Sequence, residues 1–397
     1  MRTLSISKAV LSVILPSITT AQSATTYKLT EDFSYYNFFS AFDFFSGPDP
    51  TEGFVQYQNY TSAIEQGLVG YFTDTQSVFV GADYKSKDPN GRASVRLESK
   101  KGWNKGLLVA DIRHMPASTC GSWPAYWLVG SDAEMNGKIT WPDAGEIDLL
   151  EGVNDYKTNS VTLHTSAGCM VSNTTSPASG SDSTSPPFTG HLKTDDCNVA
   201  APDQDANVGC SITAPSTMPA TSLASRDPSS SKSRAFPSYG TDFNAVTGGV
   251  YAMEWTSTSI SVWFIPRISA QFTTLFPSPA SSTFLNTTLD VAAFGTPIAH
   301  FSGQCDFEKN FKNLKIVFDT TFCGSWASSE WKSGGCAKKT GVETCEAYVR
   351  DNPEAFTDTY WEIAGLKWFQ KENAAVPVQQ KKVVKPLVKG QGWFGGY

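Results

Sequence analysis

The stretch Gly145-Glu146-Ile147-Asp148-Leu149-Leu150-Glu151-Gly152 places three carboxylates in an otherwise apolar segment. Burying acids on an apolar strand is costly, so a cluster of this kind usually serves chemistry. In a regular strand, Glu146 and Asp148 share one face and Glu151 points to the other. A β-bulge at Leu149-Leu150 would bring all three acids to one face, and bulges are frequent beside active sites. A helix would place the two glutamates about 140° apart around its axis, so the sequence predicts a bulged strand.

The spacing of the two glutamates also points to a type of reaction. Four effective strand steps separate their Cα atoms by roughly 13 Å. Two long side chains that lean inward over Asp148 can bring the carboxyl groups to the ~5–5.5 Å that retaining glycoside hydrolysis requires. The alternative is three acids on a solvated strand edge, but Ile147, Leu149 and Leu150 make poor neighbours for solvent.

The acid pattern and its flanks resemble a known family. The spacing Glu-x-Asp-x-x-Glu is similar to that of the β-bulged branch of glycoside hydrolase family 16. The flanking segments that share the similarity are 106–116, 119–128, 152–156, 162–166, 249–255, 262–267, 294–297 and 355–363. Together they cover roughly residues 25–371 and resemble fungal endo-1,3(4)-β-glucanases of the laminarinase type.

This resemblance implies a fold, an activity and a role for each acid. The implied fold is all-β, a β-jelly-roll sandwich of two antiparallel sheets with a concave substrate cleft. The implied activity is retaining endo-hydrolysis of 1,3-linked and mixed 1,3/1,4 β-glucans. Glu146 would be the nucleophile, Glu151 the acid/base, and Asp148 would hydrogen-bond Glu146.

Aromatic side chains that stack on the apolar faces of glucose rings are the expected source of substrate binding. Trp123 and Trp127 precede the acids at a spacing that puts them on one strand face. His164 follows the acid strand, where the family places a polar contact to the substrate. The predicted substrate-binding residues are Trp123, Trp127, His164, Trp103, Trp255 and Trp263. For each tryptophan, the alternative is a place in the hydrophobic core.

The composition favours an all-β domain over a helical bundle. Aromatic residues make up 13% of the 397 residues, and 31 Gly and 22 Pro suggest many turns. Apolar residues alternate along 260–265, and segments 313–319 and 360–369 are predicted as further strands. The net charge of −7 argues against a nucleic-acid partner. We expect a monomer whose partner is a β-glucan substrate, with no metal or organic cofactor implied.

The N-terminus and the cysteines predict a secreted, oxidised protein. Residues 1–21 combine basic residues, an apolar run and small residues, as in a signal peptide. The eight cysteines contain no Cys-x-x-Cys pair and are accompanied by only four histidines, so disulfides are favoured over a zinc site. Their connectivity stays open. Glycosylation sequons begin at Asn59, Asn173 and Asn286.

The chain is expected to hold one catalytic domain with two appendages. The predicted organisation is a signal peptide over 1–21, the catalytic domain over 25–371 and a basic tail over 372–397. A segment rich in Ser and Pro near 213–237 is interpreted as an insertion, and 171–187 as an exposed loop. No apolar segment is long enough for a transmembrane helix.

Two alternative functions remain open on this pattern. A cell-wall glucan transglycosylase would use the same acids and pass the glycosyl-enzyme to another glucan, although such relatives more often carry the unbulged Glu-x-Asp-x-Glu spacing. A non-catalytic glucan-binding lectin could share the sandwich. A lectin has no use for two glutamates that flank an aspartate, so the intact triplet argues against it.

Overall fold

Two large antiparallel β-sheets packed face to face form the fold in a computed structural model. The structure describes residues 26–130, 140–172, 188–217, 236–276 and 287–371. Among them, no helix has the length and apolar character needed to span a membrane. The predicted jelly-roll sandwich of two antiparallel sheets is therefore confirmed.

The sheet that carries the acids has eight strands, and the acid strand lies near its middle. In chain order these strands are β2 (Phe42–Phe45), β7 (Arg96–Trp103), β9 (Ser122–Gly130), β10 (Glu146–Glu151), β11 (Ser160–His164), β13 (His191–Thr194), β14 (Cys210–Thr213) and β20 (Leu314–Phe322). Across the sheet the order is β13-β14-β11-β10-β9-β20-β7-β2.

The second sheet has nine strands and supports the first from behind. Its strands are β1 (Thr26–Phe33), β4 (Val69–Phe72), β5 (Ser77–Gly81), β8 (Gly106–His114), β15 (Gly249–Trp255), β16 (Ile260–Pro266), β17 (Thr288–Asp290), β18 (Ala299–Phe301) and β21 (Tyr360–Lys371). The main path runs β17-β1-β21-β8-β15-β16-β18, and β5 joins β4 to β21.

Short helices and two small ladders complete the described elements. The ladders pair β3 (Val55–Tyr57) with β6 (Arg92–Ser94) and β12 (Met170–Val171) with β19 (Gly303–Gln304). The α-helices are α1 (Tyr60–Glu65), α2 (Gly240–Asn244), α3 (Ala270–Leu275), α4 (Phe307–Asn310), α5 (Gly324–Ala327), α6 (Cys336–Thr340) and α7 (Cys345–Asp351). Single 3₁₀ turns cover Phe39–Ala41, Val291–Phe294 and Pro353–Phe356.

Inward-facing side chains of the two sheets form one large apolar core. Tyr126, Ile147 and Phe318 of the eight-stranded sheet belong to the same buried cluster as Met253 and Leu366 of the nine-stranded sheet. Each large apolar side chain that is fully buried contributes about 1.5–3 kcal/mol to stability. Because side chains alternate along a strand, the residues between these inward ones point to the opposite face, where the acids lie.

The predicted strands over 260–265, 313–319 and 360–369 are confirmed as β16, β20 and β21. β16 differs from a one-sided strand because it is buried along its whole length. One of its faces joins the main core, and the other joins a second apolar cluster beneath α3. Alternation in the sequence therefore identified the strand, but both of its faces are covered.

All eight cysteines are paired, which confirms the disulfide prediction. The pairs are Cys120–Cys336, Cys169–Cys305, Cys197–Cys210 and Cys323–Cys345. Two of them connect the helices that follow β20 to the start of β9 and to the end of β20. These cysteines belong to a third buried cluster, which also contains Trp331 and Phe356.

Several sequence predictions concern residues outside the described ranges. These are the signal peptide over 1–21, the tail over 372–397, Asn173, Asn286 and most of the insertion near 213–237. The remaining sequon residue, Asn59, is exposed and caps the N-terminus of α1 by accepting a hydrogen bond from the Ser62 backbone N–H.

The disulfide pattern predicts the thiol content of the purified protein. Under denaturing, non-reducing conditions a thiol reagent should label no cysteine, because each sulfur is covalently paired. After reduction, mass spectrometry of the labelled chain should count eight cysteines. Two or more reactive thiols in the unreduced chain would contradict the pairing.

Candidate active site

A one-residue bulge in β10 brings the three acids to one face, as the sequence predicted. On the β9 side, Asp148 lies opposite Trp127 and Glu151 lies opposite Ala125, with a register shift between them. The same shift occurs on the β11 side between Asp148 and Glu151. Leu149 and Leu150 both point into the main core. Because these two consecutive leucines face inward, Glu151 returns to the face that Glu146 and Asp148 occupy.

Gly145 sets the entry of the chain into this strand. Its φ angle is +79°, in the region that residues with a Cβ rarely adopt. A Cβ at this position would also lie 2.4 Å from the backbone oxygen of Asn310. Glycine is thus required directly before Glu146, both by the backbone conformation and by the close approach of the neighbouring chain.

Each glutamate accepts a hydrogen bond from the indole of a different tryptophan. Trp123 Nε1 donates to Glu151 Oε1 at 2.8 Å, from the neighbouring strand β9. Trp141 Nε1 donates to Glu146 Oε2 at 2.8 Å, from the turn before β10. An indole has one donor and no acceptor, so each tryptophan favours the ionised form of its glutamate and fixes its orientation.

His164 lies beside the central acid. It ends β11 directly opposite Glu146, and its Nε2 atom is 3.2 Å from Asp148 Oδ2. Asp148 and His164 are both almost fully buried. The imidazole is therefore enclosed in the acid cluster, and its centroid lies 6.3 Å from that of the Trp141 ring.

Burial governs the protonation of the three acids. It raises the pKa of Glu146 to about 8, with Asp148 adding to the effect and His164 and Trp141 opposing it. The pKa of Glu151 is also raised to about 8 by burial and by Asp148, and it is lowered by the hydrogen bond from Trp123. Burial and the nearby Asp319 raise the pKa of Asp148 well above its ordinary value. The cluster therefore retains protons near neutral pH.

A further buried carboxylate, Asp319 on β20, holds one of the predicted sugar-binding tryptophans. Trp127 Nε1 donates to its Oδ1 atom at 2.9 Å, and the Tyr57 hydroxyl donates to its Oδ2 atom at 2.8 Å. The Arg96 guanidinium lies 5.0 Å from the Trp127 ring centroid. Burial raises the pKa of Asp319 to about 6, and Arg96 and the two donors oppose the rise. This network fixes the Trp127 ring beside the acids.

The structure brings together only half of the predicted sugar-binding set. Trp123 and His164 contact the acids directly, and Trp127 lies opposite Asp148 on the neighbouring strand. Trp103 and Trp255 instead belong to the main core, where Trp103 stacks on Trp368.

Trp263 likewise lies away from the acids. Its ring belongs to the second apolar cluster and its Nε1 donates to the Gly295 oxygen at 2.8 Å. Trp103, Trp255 and Trp263 are all at least 94% buried, so no ring face is open to a sugar. Assigning these three to substrate binding is corrected: they are packing residues of the sandwich.

Trp141 and Asp319 belong to the site but were not predicted from the sequence. Trp141 lies five positions before Glu146 and keeps 43% of its surface exposed while it bonds the glutamate. Asp319 stands in the apolar run of β20, and it could have been found by the argument that singled out the three acids, namely the cost of burying a carboxylate.

The same cluster offers ligand atoms at a spacing that a cation could use. Glu146, Asp148 and His164 each present one such atom, all within 4.8 Å of one another. The Trp141 N–H, however, already donates to Glu146, and a donor aimed into the cluster opposes a cation. A second group, Cys120, Cys336 and Asp155, cannot bind a metal through its cysteines, since these are disulfide-bonded.

Comparison with known proteins places this geometry in a family. Residues 42–369 match the model of the XgeA-like catalytic GH16 domain. A probable endo-1,3(4)-β-glucanase of Aspergillus fumigatus is 40% identical over 88% of this chain and 46% of its own length. An endo-1,3(4)-β-glucanase of Arthroderma benhamiae is 38% identical over 90% of this chain and 68% of its own. The chain thus spans about half the length of several curated relatives it matches.

Solved structures show the same similarity. An elongating GH family 16 β-1,3-glucosyltransferase is 37% identical with a TM-score of 0.68, covering 87% of this chain and 100% of that one. Laminarinase 16A of Phanerochaete chrysosporium, solved with β-glucans in donor and acceptor sites, is 33% identical with the same TM-score and the same coverage. The chain therefore belongs to glycoside hydrolase family 16.

Proposed function

We propose that residues 25–371 form the catalytic domain of a retaining endo-β-glucanase that cleaves 1,3-linked and mixed 1,3/1,4 β-glucans. The observation that carries this proposal is the bulge, which turns Glu146, Asp148 and Glu151 to one face of the sheet. The names of the relatives, endo-1,3(4)-β-glucanase and laminarinase, support the choice of substrate. Digestion of laminarin, lichenan and cellulose, followed by linkage analysis of the products, tests it.

Glu146 and Glu151 divide the reaction into two displacements. In the first, a Glu146 oxygen bonds the anomeric carbon while Glu151 gives its proton to the departing glycosidic oxygen. In the second, Glu151 takes a proton from water, whose oxygen displaces Glu146 and releases the sugar. The pKa values of both glutamates are raised to about 8, so the pair holds a proton near neutral pH, and this proposal assigns that proton to Glu151. The hydrogen bond from Trp141 favours the ionised form that Glu146 needs as a nucleophile.

Asp148 and His164 stabilise the charge between the two glutamates in this proposal. A protonated Asp148 avoids placing a second negative charge beside the ionised Glu146, and His164 Nε2 lies 3.2 Å from Asp148 Oδ2. Trp123, Trp127 and Trp141 surround the acids with indole rings, and such rings can stack on glucose. The polar contact of His164 to the substrate, which the family resemblance implied, stays a prediction.

Transfer to a second glucan is the alternative reaction, and one observation favours it. The solved relative at 37% identity is described as an elongating β-1,3-glucosyltransferase. Transfer uses the same first displacement, and only the acceptor in the second step differs. Products longer than the starting laminari-oligosaccharide, formed at the expense of glucan hydrolysis, would identify a transferase.

We also propose that the protein is secreted and acts as a monomer on a neutral polysaccharide. The four disulfides fit an oxidising compartment, and the basic and apolar residues of 1–21 fit a signal peptide. The net charge of −7 is unfavourable for binding nucleic acid. The domain limits, the insertion near 213–237 and the basic tail over 372–397 stay predictions.

Replacing the proposed nucleophile should abolish turnover. Glu146→Gln preserves the shape of the side chain but cannot form the ester, so laminarin hydrolysis should fall by at least about a thousandfold. Glu254→Gln is a matched control, a half-buried glutamate on β15 that accepts a hydrogen bond from Tyr27 at 2.7 Å. Reducing-sugar assays at equal folded protein would contradict the assignment if Glu146→Gln kept a tenth of the activity.

The proposed mechanism also fixes the stereochemistry of the products. Two displacements at one carbon retain the β configuration, so proton NMR should detect β-anomeric reducing ends before mutarotation. Retention requires carboxyl groups about 5–5.5 Å apart. An initial α-anomer, or a crystal structure with a separation above roughly 6.5 Å, would indicate an inverting mechanism and overturn the roles given to Glu146 and Glu151.

Removing each of the two indole hydrogen bonds should shift a different limb of the pH profile of kcat/KM. Trp123→Phe removes a donor that lowers the pKa of Glu151, so the acid stays protonated to higher pH and the alkaline limb of kcat/KM shifts upward. Trp141→Phe raises the pKa of Glu146, so the acidic limb shifts upward instead. Loss of a bond to a charged group predicts a shift of about one pH unit.

Because the three acids titrate together, each limb belongs to the cluster and not to one residue. The informative result is therefore which limb moves in each variant, measured as kcat/KM on laminarin across pH. If Trp123→Phe moved the acidic limb and Trp141→Phe the alkaline limb, Glu146 and Glu151 would have to exchange roles.

A further inference from the structure

The bulge in β10 leaves some backbone groups without the partners that they would have in a regular β-ladder. One side chain, Asn159, hydrogen-bonds two of these groups. Asn159 Nδ2 donates to the Leu149 backbone oxygen at 2.7 Å. Asn159 Oδ1 accepts from the Glu151 backbone N–H at 2.9 Å. These two groups flank Leu150 and lie within the segment between Asp148 and Glu151 where the register with β11 shifts. The Asn159 amide thus takes the place of a peptide group of the neighbouring strand.

Burial and backbone hydrogen bonds fix the position of Asn159. It is fully buried, one residue before β11 begins. Its backbone N–H donates to Ser238 Oγ at 3.1 Å, and its backbone oxygen accepts from the Ala214 N–H at 2.9 Å. Ser238 is fixed in turn, because its backbone oxygen accepts a hydrogen bond from the Tyr251 hydroxyl of the opposite sheet at 2.6 Å. The amide therefore cannot swing away from the bulge without breaking its two hydrogen bonds to Leu149 and Glu151.

The chemistry of the position requires asparagine. Leu149 offers an acceptor and Glu151 a donor, so the side chain must present one donor and one acceptor side by side. Aspartate lacks the donor, alanine lacks both groups, and glutamine is longer by one methylene. Only asparagine combines one donor and one acceptor on a side chain of the right length to bond both groups.

We infer that Asn159 is a positioning residue that sets Glu151 on the face of the nucleophile, an inference that rests on the proposed function. Glu151 is held at two points: its backbone by Asn159 and its carboxyl by Trp123. Glu146 lies before the bulge and pairs in regular register with His164 and Val129. Loss of Asn159 should therefore impair the steps that need Glu151 and spare the attack by Glu146.

Two substrates separate these steps. Cleavage of laminarin needs an acid to protonate the leaving sugar oxygen, whereas a 2,4-dinitrophenyl laminari-oligosaccharide loses a phenolate that needs no proton. The second step needs a base to activate water for both substrates, but azide can replace the water without a base. Comparing the rates on the two substrates, with and without azide, therefore separates the contribution of Glu151 from that of Glu146.

The variant is Asn159→Ala, and the control is Asn244→Ala. Asn244 resembles Asn159 because its amide accepts from the Met115 N–H at 2.9 Å and donates to the Met115 oxygen at 2.8 Å, on α2. Both purified full-length variants are compared with the wild type by circular dichroism and thermal unfolding. This comparison corrects the kinetics for general destabilisation.

In Asn159→Ala we expect kcat/KM on laminarin to fall about a hundredfold, the contribution typical of acid catalysis. On the dinitrophenyl substrate kcat/KM should change less than about threefold, while kcat falls and azide restores it with formation of a glycosyl azide. Asn244→Ala should keep the wild-type ratio between the two substrates.

Equal losses on both substrates, or no rescue by azide, would overturn the role of Asn159. If Asn159→Ala does not fold, Asn159→Ser is tested in the same way, since its smaller side chain leaves room for a water to bridge the bulge. Unfolding of both, with Asn244→Ala folded, would assign Asn159 a purely structural role. A wild-type protein that cleaves neither substrate would overturn the proposed function and this inference with it.

Discussion

The cost of burying three carboxyl groups side by side explains much of the polar structure around β10. Burial and mutual repulsion raise the pKa values of Glu146 and Glu151 to about 8. Each neighbouring strand or turn then supplies a compensating group: an indole N–H from β9, another from the turn before β10, and an imidazole from β11. The acids depend on this lining, because an uncompensated charge at such a depth would be neutralised or excluded.

The lining in turn depends on the register of the sheet. Trp123 and Trp127 share a face of β9 only because β20 pairs with that strand without interruption. Asp319 on β20 then reaches Trp127, and Tyr57 reaches Asp319 from a separate small ladder. The site is therefore built outward from β10, each layer fixing the orientation of the one nearer the acids.

The sequence was sufficient to predict that the three acids share one face of a bulged strand, but not which elements cover the faces of the other strands. The spacing of Glu146, Asp148 and Glu151 was enough to locate the bulge, since side-chain alternation is a local property of the backbone. The spacing could not show that Trp263 lies under α3. Both faces of β16 are buried, and an alternating pattern does not tell which face of a strand, if either, is open to solvent. Asn159 escaped for another reason: its partners are defined by the bulge itself, and no motif encodes them.

The bulge also has a consequence for how such sites diverge. The register shift is confined to the segment between Asp148 and Glu151, and pairing with β9 and β11 resumes at Glu151. Loss of a single codon in that segment would give Glu-x-Asp-x-Glu, in which all three acids share a face of a regular strand without any bulge. The two spacings are thus neighbours in mutational space, one deletion apart. The physical difference between them lies at Asn159. After such a deletion its amide would lose the two backbone groups of the bulge that it now hydrogen-bonds.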